Sequence, residues 1–168
     1  LYLQADKAVK TSIAGTQWSA TSWQASLGAQ KNQLAYMHES PMDLTPGEYR
    51  VYLAPAAVSE ILSLMCWGGF SKRAKEEKRS PLQYLYEGKK ELSPQVSLVE
   101  NTQTGIGPFF NSSGFDRPLQ THLVKQGKAQ DLLTSPRSAQ KYKCDTNGAD
   151  EGEGPLSLQM APGELSEE

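Results

Sequence analysis

Residues 51–82 read VYLAPAAVSEILSLMCWGGFSKRAKEEKRSPL, and this stretch predicts two helices separated by a glycine pair. Pro55 suits the first turn of a helix, because the backbone N–H that proline lacks would have no partner there. After it, apolar residues recur at the spacing of one helical face, which predicts a buried stripe of Val58, Ile61, Leu62 and Met65. Gly68 and Gly69 then end the first helix.

The second helix begins after the glycine pair. Ser71 suits its N-cap, and we expect it to run through Arg79, because the residue before Pro81 avoids the helical conformation. Phe70 and Leu82 flank this helix and are expected to anchor it to the core. Its basic side chains form a candidate basic surface, made of Lys72, Arg73, Lys75, Lys78 and Arg79.

Two segments upstream of these helices predict strands. The stretch from Ile13 to Leu27 is rich in Thr, Trp and Ser and alternates weakly, so we expect a long strand or hairpin arm there. Turn residues follow at 31–33 and 39–43. Residues 48–53, EYRVYL, alternate apolar and polar side chains as a strand does.

The downstream half predicts more strands and one helix. Strands are expected at 95–100, 119–128 and 155–160, with a turn at Gln126–Gly127 inside the second of them. Ser135 and Pro136 open a helix on the residues that follow. Residues 101–118 are dense in Asn, Gly, Ser and Pro, which predicts a long loop, and long ordered loops are often functional.

The bulk composition is that of one globular domain. The chain has 168 residues, 38 % of them hydrophobic and 21 % charged, so we expect a single domain with a strand segment over 1–44 and an acidic segment at 150–168. The net charge of −2 excludes a globally basic nucleic-acid binder. No apolar run is long enough to span a bilayer, and two cysteines give no disulfide framework, so we expect a reduced compartment, the cytoplasm, and no membrane partner.

Residues for a metal or catalytic centre are sparse. The histidines are His38 and His122 alone, and the His38–Glu39 pair lacks the second histidine that a zinc-protease helix carries one turn later. No GxGxxG, GxxxxGK[ST] or GxSxG pattern is present. We therefore assign no catalytic residue and no metal ligand. Cys66 lies on the apolar helix and is expected to be a small core residue.

Two segments nevertheless carry candidate chemistry. Cys144 stands among lysines, which favour the thiolate, so it is a candidate reactive thiol, although no histidine lies near it in sequence. The basic surface carries a local charge of +3 once Glu76 and Glu77 are counted. Pairing along the helix favours a solvated face over nucleic-acid binding, which would need interleaved aromatic side chains.

The order of these segments resembles the C-terminal region of the TldD/PmbA family, the so-called modulators of DNA gyrase. Six segments between Thr45 and Ser166 carry the resemblance: VYLAPAAVSEIL, GFSKRAKEEKRSPL, SPQVSLVEN, SSGFD, LVKQGKAQDLLTSPRSAQKY and TNGADEGEGPLSLQMAPGELS. The PmbA (TldE) branch has an FSG-type turn, a basic stretch and an S-[FP]-L element, whose places are taken here by Phe70, Ser71, Lys72, Arg79, Ser80, Pro81 and Leu82. The loop departs from the family's SSPFDDEGxPT, because its acidic-glycine piece is shortened or rearranged.

The resemblance implies an α+β fold, mainly an antiparallel or barrel-like sheet with flanking helices, and a parent protein whose N-terminal domain this chain lacks. It implies a proteolytic assembly in which a TldD-type subunit carries an HExxxH zinc site and the PmbA-type subunit does not. We therefore expect a non-catalytic subunit or domain that has no cofactor of its own, forms a homodimer or a heterodimer with a TldD-like subunit, and contributes to peptide binding. The candidate loop or interface residues are Ser112, Ser113, Gly114, Phe115 and Asp116.

Two alternatives stay open. The chain could be an active hydrolase that uses Cys144 or a site completed by a missing domain. It could also be a nucleic-acid or gyrase-binding module that acts through residues 72–79, although nucleic acid is the less favoured partner.

Overall fold

The chain folds into two compact units, residues 1–51 and residues 52–168. The structure is a computed structural model that describes residues 2–4, 7–13, 15, 17–105 and 107–163. None of the helices in these described ranges is both long enough and apolar enough to cross a membrane.

The first unit contains a short antiparallel pair of strands and one long helix. Strands β1 (Tyr2–Gln4) and β2 (Lys7–Ala8) pair with each other, and helix α1 covers Ala20–Tyr36. Ser19 caps α1, because its hydroxyl accepts the N–H of Ser22 at 3.2 Å.

The strand or hairpin arm predicted over Ile13 to Leu27 is therefore wrong from Ala20 onward, and so is the turn at 31–33. Positions 14 and 16 of that segment lie outside the described residues. The physical reason is cumulative helix propensity. Residues 24–35 consist mostly of Gln, Ala, Leu and Lys, whose preference for a helix outweighs the β-preference of the Trp and Thr residues just before them.

The second unit is an α+β arrangement, as predicted. Its helices are α2 (Pro55–Cys66), α3 (Lys72–Glu76), α4 (Gln83–Tyr86) and α5 (Pro136–Tyr142). Its antiparallel sheet has the order β5-β4-β3-β6, built from β3 (Leu98–Asn101), β4 (Gln120–Lys125), β5 (Lys128–Ala129) and β6 (Leu158–Met160). The sheet is open at β5 and β6, so the barrel-like alternative is wrong.

The predicted strand at 48–53 does not form. All six residues lie outside helices and strands, and the side chain of Val51 remains 67 % exposed. Alternation alone does not make a strand, because a strand needs a neighbouring strand to take up its backbone hydrogen bonds.

Helix α2 begins at Pro55 and ends before the glycine pair, as predicted. A Cβ on Gly69 would lie 2.0 Å from the carbonyl oxygen of Met65, so only glycine fits at this turn. The stripe is less buried than expected. Leu62 and Met65 pack against the core, but no residue of α2 is fully buried and Ile61 is 47 % exposed.

The core of the second unit lies between the sheet and the helices. Phe70 is 1 % exposed and packs with buried residues of α4, of the sheet and of the loops, namely Leu85, Leu98, Leu123, Val124, Leu133 and Ala149. Leu82 is partly buried against this cluster, so Phe70 and Leu82 anchor the segment that carries α3, as expected.

Helices α3 and α5 both begin at one buried carboxylate. Glu153 is 0 % exposed, and its Oε2 accepts the hydroxyl of Ser71 at 2.6 Å and the N–H of Arg73 at 2.8 Å. Its Oε1 accepts the N–H and the hydroxyl of Ser135 at 2.9 and 2.8 Å. Because Ser71 and Ser135 are the N-caps of the two helices, Glu153 fastens both helix starts at a single point.

Burial by itself would raise the pKa of Glu153. Hydrogen bonds from the hydroxyls of Ser138 and Ser71 and from the N–H groups of Arg73 and Ser135 outweigh it, so the pKa of Glu153 is lowered from its ordinary value of 4.5. The carboxylate is therefore ionised at neutral pH.

Replacing this carboxylate should destabilise the second unit. In Glu153→Gln, one acceptor oxygen becomes an NH₂ group that faces donors, so we expect unfolding in urea to require about 2–4 kcal/mol less free energy. Glu91→Gln is the matched control, because the Glu91 side chain is 58 % exposed and Lys128 is its only ion-pair partner among the described residues. Equal stability of E153Q and E91Q would contradict this role.

The same carboxylate should give a pH-dependent contribution to stability. Because folding lowers the pKa of Glu153, its contribution is complete above the unfolded value of 4.5 and is lost as the pH falls through the lower folded value. We expect the difference in unfolding free energy between the wild type and E153Q to shrink below pH 4.5. Urea titrations over a series of pH values measure it, and a difference that stays constant down to about pH 3 would count against this assignment.

Candidate interaction loop and basic helix

The predicted loop forms a closed turn whose shape is set by Asn111. Asn111 is 5 % exposed, and its Oδ1 accepts the N–H groups of Ser113 at 2.9 Å and Phe115 at 3.0 Å. Gly114 has a φ of +80°, which glycine adopts without strain. An isolated antiparallel bridge between Phe110 and Asp116 closes the base of the turn.

A buried arginine fixes this turn to the sheet. Arg117 is 7 % exposed, and its Nη2 lies 2.6 Å from Oδ2 of Asp150. Its Nη1 lies 3.8 Å from Oε1 of Glu100 on β3, and Glu100 is 3 % exposed. Glu100 also accepts the N–H groups of Leu156 at 2.9 Å and of Ser157 at 3.1 Å, so this network joins the loop to the segment that leads into β6.

The loop holds aromatic rings in solvent. Phe109, Phe110 and Phe115 are 62, 49 and 44 % exposed. The rings of Phe109 and Phe110 meet edge to face with centroids 5.6 Å apart. An exposed apolar cluster on an anchored turn is typical of a surface that binds another macromolecule.

Ser112, Ser113, Gly114, Phe115 and Asp116, the residues predicted as a loop or interface, all lie in this turn. Their role in binding stays a prediction. Sequence reasoning missed Asn111, Glu100 and Arg117, which position the turn. Asn111 carried a signal, because an Asn before Ser-Ser-Gly is typical of a turn closed by its own side chain. The sequence contains no signal for the pairing of Arg117 with Glu100, because these residues are far apart in the chain.

A second apolar surface lies between α2 and the end of the described chain. A groove of about 620 Å³ has mostly apolar walls, formed by Tyr52, Leu53, Pro55, Val58, Leu62, Leu158, Met160 and neighbouring residues. Cys66 also lines it, and burial followed by the charge of Glu100 raises the pKa of its thiol. Cys66 is only partly buried against the core, so it is a small core residue that also reaches the groove.

Most of the predicted basic surface is paired with carboxylates. Lys72 and Lys75 contact Glu76 at 2.8 and 3.0 Å, and Lys78 contacts Glu87 at 3.2 Å. Arg79 contacts Glu77. The hydrogen bonds from Lys72 and Lys75 lower the pKa of Glu76 to about 2.

Arg73 differs from the other basic residues, because its guanidinium donates to the backbone carbonyl of Glu151 at 3.3 Å. Helix α3 also ends at Glu76 rather than at Arg79.

Cys144 is an exposed free thiol. It lines a polar cleft of about 380 Å³, whose ionisable side chains are Lys72, Asp131 and Asp145 besides the thiol itself. Within the described part of the chain, no three His, Cys, Asp or Glu side chains lie close enough to hold a metal ion. The reactive thiol stays a prediction.

Comparison with known proteins identifies relatives of the second unit. A family model for the PmbA/TldA metallopeptidase C-terminal domain matches residues 46–168. Comparison with the curated proteins gives no match. A solved structure from Thermotoga maritima MSB8, described as a candidate modulator of a DNA gyrase, is 23 % identical with a TM-score of 0.51, and the match covers 64 % of this chain and 26 % of that one. TldE from Thermococcus kodakarensis is 16 % identical with a TM-score of 0.46, and the match covers 64 % of this chain and 27 % of that one.

The Thermotoga structure supports the fold alone at this identity. The chain spans about a quarter of the length of these two proteins.

Removing the Arg117 side-chain charge should release the loop that holds Phe109, Phe110 and Phe115. In Arg117→Met the buried Glu100 loses its cation, so we expect a loss of about 3 kcal/mol in unfolding free energy and faster chymotrypsin cleavage at the three exposed phenylalanines. Arg50→Met is the control, because Arg50 is exposed. Cleavage of R117M at the wild-type rate would show that the network does not hold the loop.

Proposed function

Because the chain belongs to the PmbA/TldA metallopeptidase C-terminal domain family, we propose that it is a docking domain of the PmbA (TldE) type in a peptidase assembly. In this role it supplies structural and subunit contacts. The partner is a second copy of the chain or a TldD-type subunit, and the assembly processes peptides in the cytoplasm. The match covers about a quarter of the solved relatives, so the activity of the whole protein belongs to this proposal.

The observation that carries the proposal is the aromatic turn, residues 109–117, which holds Phe109, Phe110 and Phe115 and is anchored by Asn111 and Arg117. Burying a large apolar side chain on association stabilises a complex by about 1.5–3 kcal/mol, and aromatic anchors dominate many interfaces. Phe109 and Phe110 are held by a rigid base, so little conformational entropy is lost when they dock. The side chains of Arg117 and Glu100, which anchor the turn, are buried, whereas the rings of Phe109 and Phe110 are exposed.

The groove beside α2 supports the same role. It presents apolar side chains next to β6, a strand at the edge of the sheet. Edge strands accept extended segments from other chains, and apolar walls select alternate side chains of such a segment. The groove is therefore the surface of this domain that we assign to the peptide.

The family description implies a metal, which we assign to the TldD-type partner. Among the described residues the donor set does not fit a zinc site, because no cluster of three ligating side chains occurs.

Serine substitutions in the aromatic turn test the proposal. We expect the wild-type chain to self-associate or to bind a purified TldD-type subunit in analytical ultracentrifugation. Phe109→Ser combined with Phe110→Ser should weaken that association by about 30-fold or more, because two aromatic anchors are lost.

Tyr84→Ser is the matched control, since Tyr84 is an aromatic residue that is 59 % exposed outside the turn. A wild-type chain that stays monomeric and ignores the TldD-type subunit would overturn the proposal. Equal association of the double variant and the wild type would remove the turn from it.

A further inference from the structure

A concave basic pocket lies between α3 and α5, apart from the aromatic turn and the apolar groove. It has a volume of about 420 Å³ and is lined by Arg73, Glu77, Arg79, Arg137, Ser138 and Lys141. The lining thus contains four cations and one carboxylate. Only two of the five basic residues predicted from the sequence take part, Arg73 and Arg79, and α5 contributes the other two cations.

Glu77 neutralises one edge of the pocket. Its Oε2 contacts Arg79, and its Oε1 lies 3.1 Å from Nζ of Lys141 and 3.4 Å from the hydroxyl of Tyr142. Arg79 and then Lys141 lower the pKa of Glu77 to about 2, so its single negative charge is shared between two cations. This sharing links the end of α3 to α5 and keeps both cations beside the pocket.

The other two guanidinium groups have no carboxylate partner among the described residues. Among the described residues, the guanidinium of Arg73 donates only to the neutral carbonyl of Glu151. Arg137 is exposed, and its guanidinium makes no hydrogen bond or ion pair with any described residue. The buried carboxylate of Glu153 accepts the backbone N–H of Arg73, but it is occupied by the donors of the two helix starts. Counting Glu153 as well as Glu77, four cations still stand against two carboxylates.

We propose that this pocket binds a phosphate group, either as the free ion or as the monoester of a small molecule. A guanidinium presents parallel N–H donors that match two oxygens of a phosphate, and two such groups here lack another anion. A phosphate near neutral pH carries close to two negative charges, which balance the excess of two cations. The volume lies within the range of small-molecule sites and exceeds what the ion alone requires.

The geometry favours a compact ligand over a nucleic acid. The unpaired guanidinium groups converge on one concavity, whereas a nucleic-acid backbone is followed by an extended row of cations. Lys72, Lys75 and Lys78, which would extend such a row along the chain, are engaged by Glu76 and Glu87. The pocket shares no lining residue with the aromatic turn or the groove, so phosphate binding does not depend on the proposed docking function.

Calorimetric titration of the full chain with inorganic phosphate and with phenyl phosphate, at constant ionic strength, tests the proposal. We expect saturable binding with about one site per chain. Arg137→Gln should weaken it about tenfold or more, because a charge-assisted contact is lost. Lys90→Gln removes an exposed cation outside the pocket and should change affinity less than twofold.

Arg73→Gln is the second variant, because it removes the other guanidinium without a carboxylate partner. Urea unfolding of each variant verifies that it is folded. Tighter binding of the ester assigns the site to a phosphorylated small molecule, and equal or tighter binding of the free ion assigns it to phosphate itself. No saturable binding of either probe overturns the proposal, as does an equal effect of R137Q and K90Q. Binding of a short DNA duplex that depends on Arg137, without a response to phosphate, would replace the proposal with a polyanion surface.

Discussion

The second unit depends on the hydrogen bonds that a single buried carboxylate, Glu153, receives from two helix starts. Taking a carboxylate out of water is costly, and the cost is met only if donors surround it. The cap hydroxyls of Ser71 and Ser135 and two backbone N–H groups provide those donors. The two cap serines in turn accept N–H groups of their own helices, at 3.0 and 3.2 Å. The carboxylate and both helix ends are thereby satisfied together.

This constraint extends to the core and to the basic pocket. Next to Ser71, the N–H of Leu133 donates to Phe70 at 2.8 Å, and the N–H of Lys72 donates to Leu133 at 3.0 Å. These two hydrogen bonds place Phe70 and Leu133 in the same core cluster. Because α3 and α5 start at one point, Arg73 and Arg137, each one turn or less from a cap, come to line the same cavity. The Glu153 carboxylate thus stabilises the fold and also brings together the residues of the candidate phosphate site.

The aromatic turn is also held by buried polar groups, but it exposes apolar side chains at the surface. Buried polar groups, Asn111 and Arg117, fix the backbone from beneath, and the apolar rings are left in water. Leaving aromatic surface exposed stabilises nothing within the isolated domain, since the hydrophobic gain comes only on burial. The buried anchor and the exposed rings together fit a contact with another chain, which is the basis of the proposed docking role.

Elements that depend on neighbouring residues could be predicted from the sequence. Pro55, the glycine pair, the caps Ser71 and Ser135, and the Gln126–Gly127 turn each appear where the structure has them, because capping and turn formation involve residues a few positions apart. The α+β class and the family followed from the order of such elements. Which candidate segments became strands depended on long-range pairing, because residues 48–53 form no strand and Ala20–Tyr36 form a helix. Glu153, Arg117 and Arg137 were equally invisible in the sequence, because a buried charge or a shared pocket depends on partners that the fold brings from distant parts of the chain.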